Sequence, residues 1–247
     1  MPSSILEIDQ ITHHYNDGSQ GITDISFSVI PGEFLLLAGR NGSGKTTLIR
    51  HINGLLRPDK GEVRLNGNDI FIDLSNTRKT VGMVFQDADT QILGETVFDE
   101  VAFGPENLKW NKKVINERVK KTLKQMDLYK FRHRHPATLS GGEKRRLTIA
   151  GILVMAPEVI IFDEPFANLD YPGSCDLMGI ILELNKTGTT IVMATHELDL
   201  AAAHAHRILI LDQGQISAQG PIPDLGPHLS RYGLKPLNIC ARCSKET

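Results

Sequence analysis

Apolar and polar positions alternate through residues 5–30, from Ile5, Ile8 and Ile11 to Ile22, Ile25, Phe27 and Val29. The break at Asn16-Asp17-Gly18 predicts a turn joining two antiparallel strands. Phe34 to Ala38 is a continuous apolar run, as in a strand buried on both faces, and Thr47-Leu48-Ile49-Arg50-His51-Ile52 then opens a helix. Arg57 to Gly61 reads as a turn, Glu62 to Leu65 with Asn66-Gly67 as a strand and hairpin, and Thr80 to Phe85 as a buried strand ending at Gln86.

From about residue 87 to 155 the period becomes helical, with Ile115, Val119, Leu123 and Met126 separated by Lys and Glu. This predicts an inserted helical subdomain, 87–155, within a core made of 1–86 and 156–222. Val159 to Phe162 and Thr190 to Thr195 are apolar strands that deliver Asp163-Glu164 and His196 at their C-terminal ends, where ligands bind in parallel α/β sheets. Arg207 to Leu211 and Gln215-Ile216 form a late hairpin. The Pro-rich, polar stretch after Gly220 has no strong period and reads as a short appendage, 223–247.

The first strand-to-helix junction carries Gly39-Arg40-Asn41-Gly42-Ser43-Gly44-Lys45-Thr46, a full G-x-x-x-x-G-K-[ST] match. Glycines let successive N–H groups converge on a phosphate, the helix N-terminus adds partial positive charge, and Lys45 reaches the β- and γ-phosphates. Thr46 would ligate Mg²⁺. Asp163 can hold that ion or its water shell, and the adjacent Glu164 can orient or deprotonate an attacking water. Together they predict nucleotide hydrolysis.

A second anion device lies about a hundred residues downstream of the first. Ser140 caps a helix whose first turn exposes N–H groups through Gly141 and Gly142, followed by Glu143 and the basic, amphipathic Lys144-Arg145-Arg146-Leu147. Two phosphate devices so far apart suggest that the second serves a neighbouring molecule's nucleotide, as in a dimer with ATP at the interface. Tyr15, just before the first turn, could stack on an adenine ring, although an aromatic at a strand end more often only packs.

Composition narrows the partners. The 247 residues include 27 basic and 29 acidic side chains, net −2, so there is no broad basic field for nucleic acid or anionic membrane. No apolar run approaches the ~18 residues that span a bilayer, and Met1-Pro2-Ser3-Ser4 lacks the regions of a signal peptide, which predicts a cytosolic chain. Cys175, Cys240 and Cys243 make no disulfide framework; Cys240 and Cys243 form a C-x-x-C in a polar tail with no second pair.

From Tyr15 to about Gly220 the ordered motifs resemble the nucleotide-binding subunits of ABC transporters. The resemblance implies a P-loop NTPase fold of the ABC ATPase type: α/β, with a mixed central sheet, an N-terminal antiparallel β subdomain and an inserted α-helical subdomain. It implies ATP and Mg²⁺ as cofactors, held by Tyr15, residues Gly39 to Thr46 with Thr47, and, across a dimer, Ser140, Gly141, Gly142, Glu143 and Asp170 of the dimer-contacting loop. Lys45, Glu164, His196 and the lid glutamine Gln86 are implied as catalytic groups, and Thr46, Gln86 and Asp163 as Mg²⁺ contacts. Glu143 departs from the Gln most common there, with a modest effect expected.

Residues 85–92 and 96–108 more narrowly resemble the ATPases of energy-coupling factor importers, including cobalt and nickel systems. That likeness implies a homodimer, or a heterodimer with a paralogous ATPase, on the cytoplasmic side of the cell membrane. An integral membrane transport component would dock at residues 87–110, with no nucleic acid partner. The rival is a soluble ABC-type ATPase of DNA repair or translation, but neither sustained heptads nor a second phosphate loop is present.

Overall fold

The computed structural model describes residues 4–237. Strands β1 (Leu6–His14) and β2 (Gln20–Val29) pair antiparallel, and β4 (Lys60–Leu65) with β5 (Asn68–Asp69) extends them into a four-stranded sheet of order β2-β1-β4-β5. The second sheet has six strands in the order β10-β9-β3-β8-β7-β6. Here β3 (Phe34–Ala38), β6 (Val81–Val84), β7 (Val159–Asp163), β8 (Thr190–Ala194) and β9 (Arg207–Asp212) run parallel, and β10 (Gln215–Pro221) closes the edge antiparallel. The sheet is therefore mixed, as expected.

Side-chain alternation divides its two faces. Leu35, Leu37, Met83, Ile161 and Val192 pack towards the antiparallel sheet and α1 (Lys45–Ile52). Phe34, Leu36, Ile160, Phe162 and Met193 pack towards the helical layer. That layer contains α4 (Val97–Asn107), α5 (Lys112–Gln125), α6 (Gly141–Leu153) and α7 (Tyr171–Lys186). The short helices α2 (Leu74–Thr80), α3 (Ala88–Gln91), α8 (Leu198–Ala201) and α9 (Ile222–Leu225) connect these elements. Burial of β3, β7 and β8 on both faces explains their uninterrupted apolar runs.

Three local expectations change. The strand drawn from Thr80 begins at Val81, because Thr80 ends α2, a helix too short and polar to show a period. The α6 helix is not amphipathic: Arg145, Leu147, Thr148, Ile149, Ala150 and Ile152 are all buried, since sheet, α4 and α7 surround it. The stretch after Gly220, read as a short appendage without strong period, has regular structure as far as Tyr232 and packs on the core as far as Leu237. It forms α9 and a 3₁₀ turn at Gly226–Tyr232, and Ile222, Leu229 and Leu237 join the core. Cys240 and Cys243 lie outside the described residues.

Candidate functional site

Four adjacent parallel strands end on one rim. The loop after β3 carries residues 39–46, β6 leads to Gln86, β7 ends in Asp163 before Glu164, and β8 leads to Thr195 and His196. An open cleft of about 520 Å³ lies there, lined in part by Tyr15, Asn41, Gly42, Gly44, Lys45, Thr46, Thr47, Gln86, Glu164 and His196. Segments far apart in sequence thus meet at the carboxyl ends of the strands.

The loop's shape depends on its glycines. Gly39 (φ +150°) has no room for a side chain, because a Cβ there would lie 2.4 Å from the Leu211 carbonyl and 2.5 Å from Ser43 Oγ. At Gly44, the N-cap of α1 with φ +103°, a Cβ would press within 2.9 Å of Ile22. Ser43 is buried and its hydroxyl has no partner among the described residues. Lys45 folds over the loop, donating to the Gly39 carbonyl at 2.8 Å and the Arg40 carbonyl at 3.2 Å. Burial lowers its pKa from the ordinary lysine value, opposed by Glu164 and Asp163.

Asp163 responds in the opposite sense. Burial raises its pKa, Glu164 adds to the rise, and a hydrogen bond from Thr46 with the nearby Arg50 and Lys45 counters it. The Asp163 carboxylate and the Thr46 hydroxyl are hard-oxygen donors, and a cation beside them would relieve the repulsion between Asp163 and the adjacent Glu164, so Asp163 and Thr46 fit Mg²⁺. Among the described residues no cluster of three or more His, Cys, Asp or Glu could hold a metal alone. The set therefore suits an ion that shares its shell with phosphates and water.

Glu164 has φ +48° and donates its N–H to the Ala194 carbonyl at 2.8 Å. Its Oε2 lies 2.8 Å from His196 Nδ1 and accepts the His196 N–H at 3.2 Å. Tyr15 bonds through its hydroxyl to Thr47 Oγ1 at 2.7 Å, on the first turn of α1, and packs edge-on against His13. Gln20 and Gly21 also line the cleft. Sequence reading missed both, and their place directly after the Tyr15 turn was the available signal.

Ser140, Gly141, Gly142, Glu143 and Asp170 do not line this cleft. Ser140 and Glu143 form a reciprocal capping box: Ser140 N–H donates to Glu143 Oε2 at 2.8 Å, and Glu143 N–H to Ser140 Oγ at 3.3 Å. The cap lowers the Glu143 pKa, so the side chain stays ionised and committed to the helix start. Among the described residues, a Cβ on Gly141 or Gly142 would meet nothing within 4 Å beyond its own helix turn and neighbours. Asp170 caps α7, accepting from Gly173 N at 3.0 Å.

The ABC transporter family profile matches residues 22–167. The chain is 45% identical to the energy-coupling factor transporter ATP-binding protein EcfA of Methanocaldococcus jannaschii, covering 87% of this chain and 78% of that one. It is 40% identical to the EcfA of Carboxydothermus hydrogenoformans over 87% and 80% of the two chains. Among solved structures it resembles cbiO1 of Clostridium perfringens, part of the ABC transporter complex cbiONQ, with TM-score 0.81 and 32% identity over 93% of this chain and 97% of that one. Cleft and kinship agree: this chain belongs to the ABC transporter family, as an ATPase subunit resembling those of the energy-coupling factor type.

Proposed function

We propose that the chain powers an energy-coupling factor importer that takes up a transition-metal ion, cobalt or nickel, or a vitamin. Two copies, or one copy and a paralogous ATPase, enclose two ATP molecules, each between the phosphate loop of one chain and Ser140, Gly141 and Gly142 of the other. The observation that carries this reading is the separation of the two anion devices. The Lys45 loop shares a cleft with Gln86, Glu164 and His196, whereas Ser140 opens its helix elsewhere, beside two glycines with free space around them.

In this arrangement Lys45 and the loop amides bind the β- and γ-phosphates and oppose the charge that develops on transfer. Tyr15 stacks on the base. Glu164 orients the attacking water and accepts its proton, with His196 holding the carboxylate and the γ-phosphate in register. Mg²⁺ beside Thr46, Asp163 and Gln86 would supply Lewis-acid neutralisation of phosphate charge. Closure on ATP and opening after hydrolysis move the segment 87–110, where the integral membrane component docks. Two exposed apolar side chains in that segment, Leu93 and Phe103, suit such a contact.

Among the described residues no helix is long and apolar enough to cross a membrane. Attachment on the cytoplasmic side through an integral partner is therefore the arrangement proposed. The test is purification of the full chain from membranes followed by cross-linking from residues 87–110. An integral protein captured there is the expected result; a chain free of membrane protein and carrying nucleic acid overturns the transport reading.

A further inference from the structure

The basic run after the second anion device contains a side chain that does not behave as a surface cation. Arg145 is 3% exposed, five residues beyond Ser140 on α6. Its Nη1 donates to the Phe85 carbonyl and its Nη2 to the Gln86 carbonyl, both at 2.6 Å. Its Nε is buried, with no partner among the described residues. Burial lowers its pKa, and the nearby Asp87 opposes that only through space.

A buried guanidinium held by neutral carbonyls, with one donor unmatched, is an expensive way to fill a helix interface. Removing a cation from water is costly, and bonds to carbonyls repay it less fully than a paired carboxylate would. A leucine would avoid that penalty but leave both carbonyls without the donor they have here. What the arginine adds is geometry: a planar fork that grips two successive peptide units.

Those units lead directly into the cleft. The same backbone is held from its other side by Gln91, whose Oε1 accepts from Phe85 N at 3.1 Å and whose Nε2 donates to the Met83 carbonyl at 3.2 Å. One residue before Arg145, Lys144 pairs with Asp89 at 2.6 Å. The Gln86 loop is thus tied to the helix that Ser140 begins.

We propose that Arg145 is a positioning residue: by gripping the Phe85 and Gln86 carbonyls it sets Gln86 in the chain's own cleft and makes that loop move as one body with the Ser140 helix. The state of one nucleotide site is then transmitted to the device offered to the other. This inference rests on the proposed part of Gln86 in the cleft.

The experiment compares the full chain with Arg145→Met, Arg145→Lys, Gln86→Ala and the double variant Arg145→Met/Gln86→Ala. Read-outs are kcat and KM for ATP, melting temperature, and amide hydrogen exchange across residues 83–92 and 190–194. Arg145→Met is expected to lower kcat at least tenfold with KM changed less than threefold, and to speed exchange in 83–92 while leaving 190–194 as protected as before. Arg145→Lys recovers part of the rate. Added to Gln86→Ala, Arg145→Met lowers the rate no more than twofold further, because both act through one group.

Effects that multiply, a wild-type kcat in Arg145→Met, or loosening spread through 190–194 would each overturn the inference while leaving an impaired Gln86→Ala to support the cleft. A Gln86→Ala chain that hydrolyses ATP at the wild-type rate removes the part given to Gln86, and this inference with it.

Discussion

Glu164 and His196 form a closed pair on the strand rim: one carboxylate oxygen of Glu164 meets both the ring Nδ1 and the backbone N–H of His196, at 2.8 and 3.2 Å. The carboxylate is aimed by a left-handed backbone, an unfavourable conformation for glutamate that the Ala194 contact holds in place. Such a group can be positioned without being consumed by its partner, since its second oxygen makes no bond to His196.

Glu164→Gln preserves size and the contact to His196 N–H but removes the base. ATP binding should persist within about threefold, whereas phosphate release should fall at least about a hundredfold, the scale of a lost general base. Size-exclusion chromatography with ATP should then show a long-lived dimer. Undiminished phosphate release would remove Glu164 from the role proposed for it.

Tyr15 separates stacking from hydrogen bonding. Tyr15→Phe loses the 2.7 Å contact to Thr47 but keeps the ring, so ATP affinity should change by less than about twofold. Tyr15→Ala should weaken binding about five- to tenfold, corresponding to roughly 1 kcal/mol for a lost aromatic contact. Equilibrium titration with a fluorescent ATP analogue distinguishes the two; equal losses would mean that the ring does not touch the base.

Gly142 tests the shared site. Among the described residues nothing beyond its own helix turn and neighbours lies within 4 Å of a Cβ placed there, so Gly142→Asp should keep the melting temperature within about 2 °C and leave ATP binding by the single chain intact. Hydrolysis should nevertheless collapse, because in the proposed dimer the new carboxylate would face the partner's phosphates. Glu143→Gln, in contrast, can still accept the Ser140 N–H and should keep the rate within about threefold. Steady-state phosphate release beside thermal denaturation measures both.

Stability should fall in mild acid because of His51. It is fully buried on α1, its Nδ1 bonds the Thr47 carbonyl at 2.7 Å, and its Nε2 has no partner among the described residues. Burial, the largest cause, pushes its pKa down from 6.5 to about 4. The folded chain therefore holds a neutral ring where the unfolded chain binds a proton, so stability is complete above about pH 6.5 and declines as pH drops towards 4. The loss is on the order of 3 kcal/mol. Urea denaturation between pH 4.5 and 7.5 should show this slope in the wild type and a flatter one in His51→Phe; equal slopes would assign the acid sensitivity to other groups.

Much of the fold was legible because its signals are local. Strands β3, β7 and β8 are buried on both faces, so their apolar runs appear without knowledge of any partner strand. The phosphate loop was legible because a turn that presents its amides to phosphate needs glycine at set intervals and a lysine at one place. Helix α2 was not, since its single buried residue, Thr77, is polar and leaves no period. Leu229 and Leu237 looked like isolated apolar residues in a polar tail; only the core that receives them explains them.

The sequence by itself determined the chemistry available to this protein: a loop for phosphates, paired acids after an apolar strand, a histidine after the next, and a capped, glycine-opened helix start at Ser140. Tertiary structure decided which of these meet. Parallel strand order brings Gln86, Glu164, His196 and Lys45 to one rim and leaves Ser140 outside it. It also buries Arg145, read in the sequence as part of a basic, amphipathic run, against the Phe85 and Gln86 carbonyls. A motif's spacing follows from bonds along one stretch of chain, whereas burial and juxtaposition depend on surfaces contributed by segments distant in sequence.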